Sequence, residues 1–262
     1  MRKFFSIAVG MGLLAAGFVY GLVVCVPRTQ NVPIFMLHRV AETDSPGDLW
    51  TLKSSELERI VGALKNAGFQ TVFPDEIIWR GLRRHAPVPK PVILTFDDGD
   101  VTVLTTAEPI LRKQGFKAMV YVSTANIADT PDQRIHADGR DYLTWTEIRA
   151  LRAGGVFEFG AHGHRHIQAD QLTDPDAEVR ACLAAFETRG GFRPTSYSYP
   201  FGAYTKPLVA ALRRAGFTTA VTCTEKPARI AFGAKPLKLP RIWVRGGGEP
   251  IDLKVWLGKN SP

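Results

Sequence analysis

The chain opens on an unbroken apolar run: residues 4–26 carry no charge and come after Arg2 and Lys3. About 20 apolar residues in a helix cross a bilayer, so this run is expected to be a transmembrane anchor. No small-residue cleavage site of the signal-peptide kind appears between Val24 and Asn31, and bulky Val24 before Cys25 does not suit lipidation. Basic residues before the span favour a cytoplasmic N-terminus, which places the domain beginning near Pro33 on the periplasmic or extracellular side. Beyond the anchor and a short linker (1–30) the pattern changes. Short apolar runs alternate with stretches of helical periodicity, as in a mostly parallel sheet built from βα units. Strands are expected at 34–38, 92–96, 118–122, 156–160, 196–199, 218–222 and 239–244. Helices are expected at 55–66, 74–84, 102–114, 146–153, 175–189 and 206–215. The first has Leu57, Ile60, Val61 and Leu64 at helical spacing, a Ser55-x-x-Glu58 capping box, and a stop at Gly68. The expected fold class is α/β: a single domain, 31–262, forming a distorted (β/α)7-type barrel behind the N-terminal helix. Residues 124–141 are polar and irregular and read as a surface loop beside the strand ends that carry chemistry in such folds.

Composition adds little. A 45% apolar chain of 262 residues can bury a sizeable core. The formal charge of +8 suits anionic lipid, cell-wall polymer or nucleic acid alike. No basic run interleaved with aromatics supports nucleic-acid binding, and none is expected. Of the three cysteines, Cys182 and Cys223 fall in an expected helix and strand and read as free buried thiols.

Two short stretches carry chemistry. In Thr95-Phe96-Asp97-Asp98-Gly99, two carboxylates come directly after an apolar strand. Successive side chains leave a strand in different directions, so one can bind a metal while its neighbour faces substrate or water. The plain alternative is an Asp-Gly turn. In His162-Gly163-His164-Arg165-His166, half of the protein's six histidines come after another strand. If the segment stays extended, all three share a side; if it turns at Gly163, His162 and His166 pair and His164 points elsewhere. The turn is preferred. One carboxylate and two imidazoles make a facial three-ligand set with room for water, the arrangement of a hydrolytic metal site.

With these motifs the sequence resembles the polysaccharide deacetylase family, carbohydrate esterase family 4 with its NodB-homology domain, marked by Thr-Phe-Asp-Asp-Gly and then His-x-x-x-His. The stretches 142–148 and 154–162 share the likeness, which extends over about 33–244. The resemblance implies that Asp98, His162 and His166 bind a divalent metal, Zn²⁺ by default with Co²⁺, Ni²⁺ or Fe²⁺ admissible. It implies that Asp97 is the general base. The family's Arg-Pro-Pro-Tyr-Gly motif corresponds to Ser198-Tyr199-Pro200-Phe201-Gly202, so the main chain of Phe201 inherits oxyanion stabilisation. The missing arginine, which pairs with the base, is replaced by Arg241. No histidine beyond His166 is present to act as general acid; His38, ending the first strand, takes that role, as in the permuted subset similar to poly-β-1,6-N-acetylglucosamine deacetylases. Tyr199, Pro200 and Trp243 are candidates for holding the acetyl methyl or a sugar face. The expected activity is removal of N-acetyl groups from an N-acetylglucosamine-containing polysaccharide outside the cytoplasm, releasing acetate. Two rivals are a hydrolase using His162, His164 and His166 together, and a catalytically weak, membrane-tethered glycan binder.

Overall fold

The computed structural model describes residues 30–43, 47–76, 88–224, 228–230 and 236–246. The expected anchor, Cys25 and His85 lie outside these residues, as does all but 74–76 of the helix expected at 74–84. No helix among the described residues is long and apolar enough to cross a membrane.

Apolar runs become the central strands, largely buried on both faces as parallel strands covered by helices must be, and a short polar strand joins them. They are β1 (Ile34–Leu37), β2 (Gln70–Thr71), β3 (Pro91–Phe96), β4 (Ala118–Val122), β5 (Phe157–Ala161), β6 (Ser196–Ser198), β7 (Thr219–Val221) and β8 (Ile242–Trp243). All pair in parallel in the order β7-β6-β5-β4-β3-β1-β8, with β2 alongside β3. All seven expected strands are present, with ends shifted by up to three residues; polar β2 is additional.

Side-chain alternation sorts the core into two layers. Phe35, Leu37, Leu94, Phe96, Val120 and Val122 point outward and join the apolar faces of the helices. Ile34, Ile93, Met119, Tyr121, Val221 and Leu239 form a smaller cluster on the inner face. The sheet curls around that cluster until its last segment touches both edges. Leu239 bridges to Val221 in β7, accepting from the Thr222 N–H at 2.8 Å, and β8 pairs with Phe35 and Met36 of β1. Residues 239–243 therefore span the seam between first and last strands.

Helix α1 (Ser54–Asn66) buries Leu57, Ile60, Val61 and Leu64 as its spacing requires. Its start corrects the expected Ser55 box: a short strand, Thr51–Lys53, runs directly into the helix, extended Lys53 is the N-cap, and no side chain caps it. A capping box does form at α3 (Trp145–Ala153), between Thr144 and Glu147. Helix α2 (Glu108–Gln114) continues from a π turn at Val103–Ala107, and α4 (Pro175–Ala185) runs into another at Phe186–Gly190. Helix α5 (Lys206–Arg214) packs against α4.

Candidate active site

Three chain turns at the C-terminal ends of β3, β5 and β6 meet at one cavity of about 520 Å³. Its floor holds His38, Asp97, Asp98, His162 and His166; Trp50, Arg140, Phe201, Cys223, Trp243 and Arg245 are on its walls. Of the five non-glycine residues with positive φ among those described, three are Asp98 (72°), His166 (56°) and Phe201 (58°), all at this cavity. Each such conformation costs about 1–3 kcal/mol and persists only where surrounding contacts impose it.

After β3 the backbone turns at Asp98 and Gly99, sending the two carboxylates apart. Asp98 Oδ1 lies 3.5 Å from His162 Nε2 and 3.4 Å from His166 Nε2. Its other oxygen accepts from Arg140. Gly163, at φ +78°, makes the turn between the histidines, and a residue with a side chain would be strained there. His162 and His166 close to 4.8 Å between ring centroids, while His164 turns away to Thr124, with Nδ1 and Oγ1 2.8 Å apart. Asp98, His162 and His166 each offer one ligand atom within 4.8 Å of the others.

The donor set fits a divalent cation. His162 Nδ1–H donates to the Ser198 carbonyl at 2.9 Å, which leaves the Nε2 lone pair facing Asp98 and His166. The loop between the histidines is clamped by Glu178 from α4. This buried carboxylate accepts the N–H groups of His164 and Arg165 at 2.8 and 2.7 Å. It also pairs with the Arg165 side chain.

Asp97 faces a different neighbourhood. Arg241, fully buried, donates from Nη1 to Asp97 Oδ1 at 2.8 Å and from Nη2 to Oδ2 at 2.6 Å. Its Nε reaches the Thr222 carbonyl, and Ser198 Oγ donates to Asp97 Oδ2 at 3.1 Å while accepting from Arg241. Ser198 stands where the family motif has arginine. The space that side chain would need is crossed by a guanidinium arriving from the seam segment.

His38 is buried, and its Nδ1 has no hydrogen-bond partner among the described residues. No carboxylate among them orients it. Phe201 is exposed at the rim, its ring 4.8 Å from that of His166. Tyr199 and Pro200 need correcting as substrate contacts. Tyr199 is fully buried, its hydroxyl donating to the Leu237 carbonyl at 2.9 Å, and Pro200 is buried beneath the turn beside Gly163. Both hold the turn that presents Phe201. Trp243 is at the cavity but stacks on Trp50 at 4.6 Å, with the Arg245 guanidinium 4.6 Å from its ring centroid. Cys182 and Cys223 are free thiols, the first buried and the second half-buried on the cavity wall.

The charges form one coupled set. Burial opposes ionisation of Asp98, but its hydrogen bond to His162 and the charges of His38, His162 and Arg140 hold its carboxyl well below the usual range. Burial likewise opposes the charge on Asp97, and Arg241 above all keeps it ionised. Burial works against a proton on His162, yet Asp97 and Asp98 outweigh it and raise its pKa above the ordinary 6.5. Burial and the His162 charge push His166 down to about 4. Burial lowers His38 despite Asp98 and Asp97.

Acid should therefore weaken metal binding. Below the raised His162 pKa the metal-free protein carries an imidazolium where a ligand lone pair is needed. Apparent metal affinity is expected to fall about tenfold per pH unit as pH drops through that range. His166 adds a second proton only near pH 4. Calorimetry of Zn²⁺ binding in buffers of different ionisation enthalpy should read proton release that grows as pH falls through the raised His162 pKa; binding with no proton release at any pH would be inconsistent with this coupling.

Similarity to known proteins converges with the motifs and with this geometry. The family model described as polysaccharide deacetylase matches residues 84–220, over half of the chain. The chain belongs to the polysaccharide deacetylase family. This deacetylase is 25% identical over 217 residues to YxkH of Bacillus subtilis (strain 168), whose name assigns it to the same family; the match covers 82% of this chain and 72% of that protein. It is 20% identical over 220 residues to the poly-β-1,6-N-acetyl-D-glucosamine N-deacetylase of Staphylococcus aureus (strain MSSA476), covering 80% of this chain and 73% of the relative. In fold it resembles the Streptococcus pyogenes deacetylase PplD, solved in complex with acetate. The TM-score is 0.75 at 22% identity, covering 90% of this chain and all of that one.

Four residues escape the motif reading: Ser198, Arg140, Glu178 and Trp50. Ser198 has a signal, since it fills the motif's arginine position. The other three act through contacts made far from the motifs in sequence.

Proposed function

We propose that the protein removes N-acetyl groups from a polymer containing N-acetylglucosamine, releasing acetate, with a divalent cation held by Asp98, His162 and His166. The observation that carries this reading is the division of labour between the adjacent aspartates: Asp98 faces two imidazole lone pairs, and Asp97 faces a buried guanidinium. The cation, with Zn²⁺ the default and Co²⁺, Ni²⁺ or Fe²⁺ admissible to such ligands, supplies Lewis acidity and lowers the pKa of water.

Asp97 accepts the proton of the attacking water. Arg241 makes it a weak base and keeps it ionised at working pH. The main-chain N–H of Phe201 faces the oxygen of the acetamide carbonyl as charge develops there. His38 gives a proton to the departing amine. A depressed imidazole pKa makes the protonated form a strong acid while shrinking its fraction at neutral pH.

His38→Ala is accordingly expected to lower turnover of an N-acetylglucosamine oligomer by about 10²- to 10⁴-fold. Hydrolysis of p-nitrophenyl acetate, whose leaving group departs without a proton, should fall far less. Equal losses on both would remove His38 from the acid role. The function itself is tested by acetate release from β-1,6- and β-1,4-linked N-acetylglucosamine oligomers and peptidoglycan, after chelation and with Zn²⁺ or Co²⁺ returned. Release that returns with metal is the expected result; bound glycan without acetate, metal being present, would favour the glycan-binding rival. Placement of His164 against Thr124 speaks against the hydrolase that uses all three histidines.

The apolar run at 4–26 supports tethering to a membrane with the catalytic domain on the periplasmic or extracellular side, and recovery of the intact chain in the membrane fraction, accessible to external protease, tests that placement.

A further inference from the structure

Two aromatic side chains of the cavity reach solvent, Phe201 and Trp50, and of these Trp50 is the one packed on Trp243. Trp243, the residue expected to stack a sugar, has the Trp50 ring 4.6 Å from its own at an interplanar angle of 29°, and the Arg245 guanidinium close by. Trp50 is 43% exposed, and its ring centroid is 4.6 Å from that of His38 in an edge-to-face contact.

The main chain that carries this exposed ring is fixed in its turn. The Trp50 N–H donates to Asp48 Oδ1 at 2.9 Å, and its carbonyl accepts from the Arg39 N–H at 3.1 Å. Asp48 also takes the Thr51 hydroxyl at 2.5 Å. The neighbouring Leu49 carbonyl accepts from the Gly246 N–H at 2.9 Å, tying the turn to the end of the seam segment. With its main chain held in the turn and its ring packed against Trp243 and His38, the indole has already lost much of the freedom a ligand would otherwise have to remove.

We propose that Trp50 is a substrate-binding residue, its indole carrying the pyranose ring whose acetamide enters the cavity. The inference rests on the deacetylase reading and deepens it. A pyranose has a rim of hydroxyls and a face of C–H bonds; an aromatic plane beside a charged floor meets both, burying the apolar face while polar substituents reach acceptors and donors. The contact with His38 sets the register, since a sugar seated on the indole brings the substituent at its amide nitrogen beside that imidazole. Phe201, 63% exposed and in contact with His166, borders the same cavity from the other histidine. The ring is thus held over the floor between two aromatic side chains.

The test uses the purified, metal-loaded full chain with Trp50→Ala and Trp50→Phe, assayed on a β-1,6-linked N-acetylglucosamine pentamer and on p-nitrophenyl acetate, an ester without a sugar. Trp50→Ala is expected to raise KM for the pentamer about tenfold, a larger change than the one in kcat. The ratio of kcat/KM for pentamer to that for the ester should fall by at least that factor. Trp50→Phe, which keeps an aromatic face, should restore most of the difference. Calorimetry with chelator-treated protein reads the pentamer without turnover, and its Kd should rise about tenfold in Trp50→Ala only. An unchanged KM and Kd, or equal losses on pentamer and ester, would overturn the assignment. Absence of acetate release from every N-acetylglucosamine oligomer by the unmodified enzyme would instead remove the deacetylase reading, and this one with it.

Discussion

Asp97→Asn is expected to cut deacetylation by about 10³-fold or more while the protein still binds its metal. General-base catalysis of this kind contributes about 10²- to 10⁴-fold, and the three metal-facing side chains are untouched. The same substitution has a second effect, because Asp97 is the counter-charge of a fully buried arginine. Leaving Arg241 unpaired costs on the order of 3–5 kcal/mol, a Tm drop on the order of 10 °C in a domain this size. The two losses separate in Asp97→Asn/Arg241→Met, where an apolar side chain of similar length replaces the orphaned guanidinium. Stability should largely return and activity should not. Metal loss in Asp97→Asn, read by titration of the stripped protein, would mean that the aspartates are assigned the wrong way round.

His162→Ala should abolish both metal binding and turnover. The residue offers one of three ligand atoms, and its Nδ1–H bond to the Ser198 carbonyl couples the end of β5 to β6. Loss of an outer partner of a ligand already costs about 10- to 100-fold in affinity, so loss of the ligand should exceed that range. Acetate release should then stay at background even with excess Zn²⁺. His164→Ala is the matched control: its ring bonds to Thr124, so metal affinity should stay within a few-fold. A loss of metal in His164→Ala as deep as that in His162→Ala would restore the three-histidine alternative.

The parts legible in the sequence are those governed by local pattern. β3 reads as a strand because Val92, Ile93 and Leu94 form an apolar run that Phe96 extends past Thr95, and the adjacent carboxylates announce a turn. The spacing of His162 and His166 around a glycine is enough to anticipate their pairing. The hidden parts depend on tertiary contact. Gln70–Thr71 has no apolar signal and is a strand only because β3 offers it hydrogen-bonding groups. Tyr199 looks like a site aromatic because it adjoins the Pro200–Phe201 turn, yet alternation along the chain sends it into the core. Trp50 sits in a polar turn, and nothing local reveals that Trp243 will lie beneath it. Ser55 fits a capping box by composition, but the preceding strand enters the helix early and puts the N-cap at Lys53, two residues before it.

The seam segment has a consequence for the order in which activity appears during synthesis. Asp97, Asp98, His162 and His166 have all emerged well before residues 239–243, which bring the guanidinium and close the curl of the sheet in one step. A nascent chain lacking that stretch has Asp98, His162 and His166 but no partner for Asp97, so on the proposed mechanism hydrolytic competence is expected only after translation has passed the residues that seal the fold.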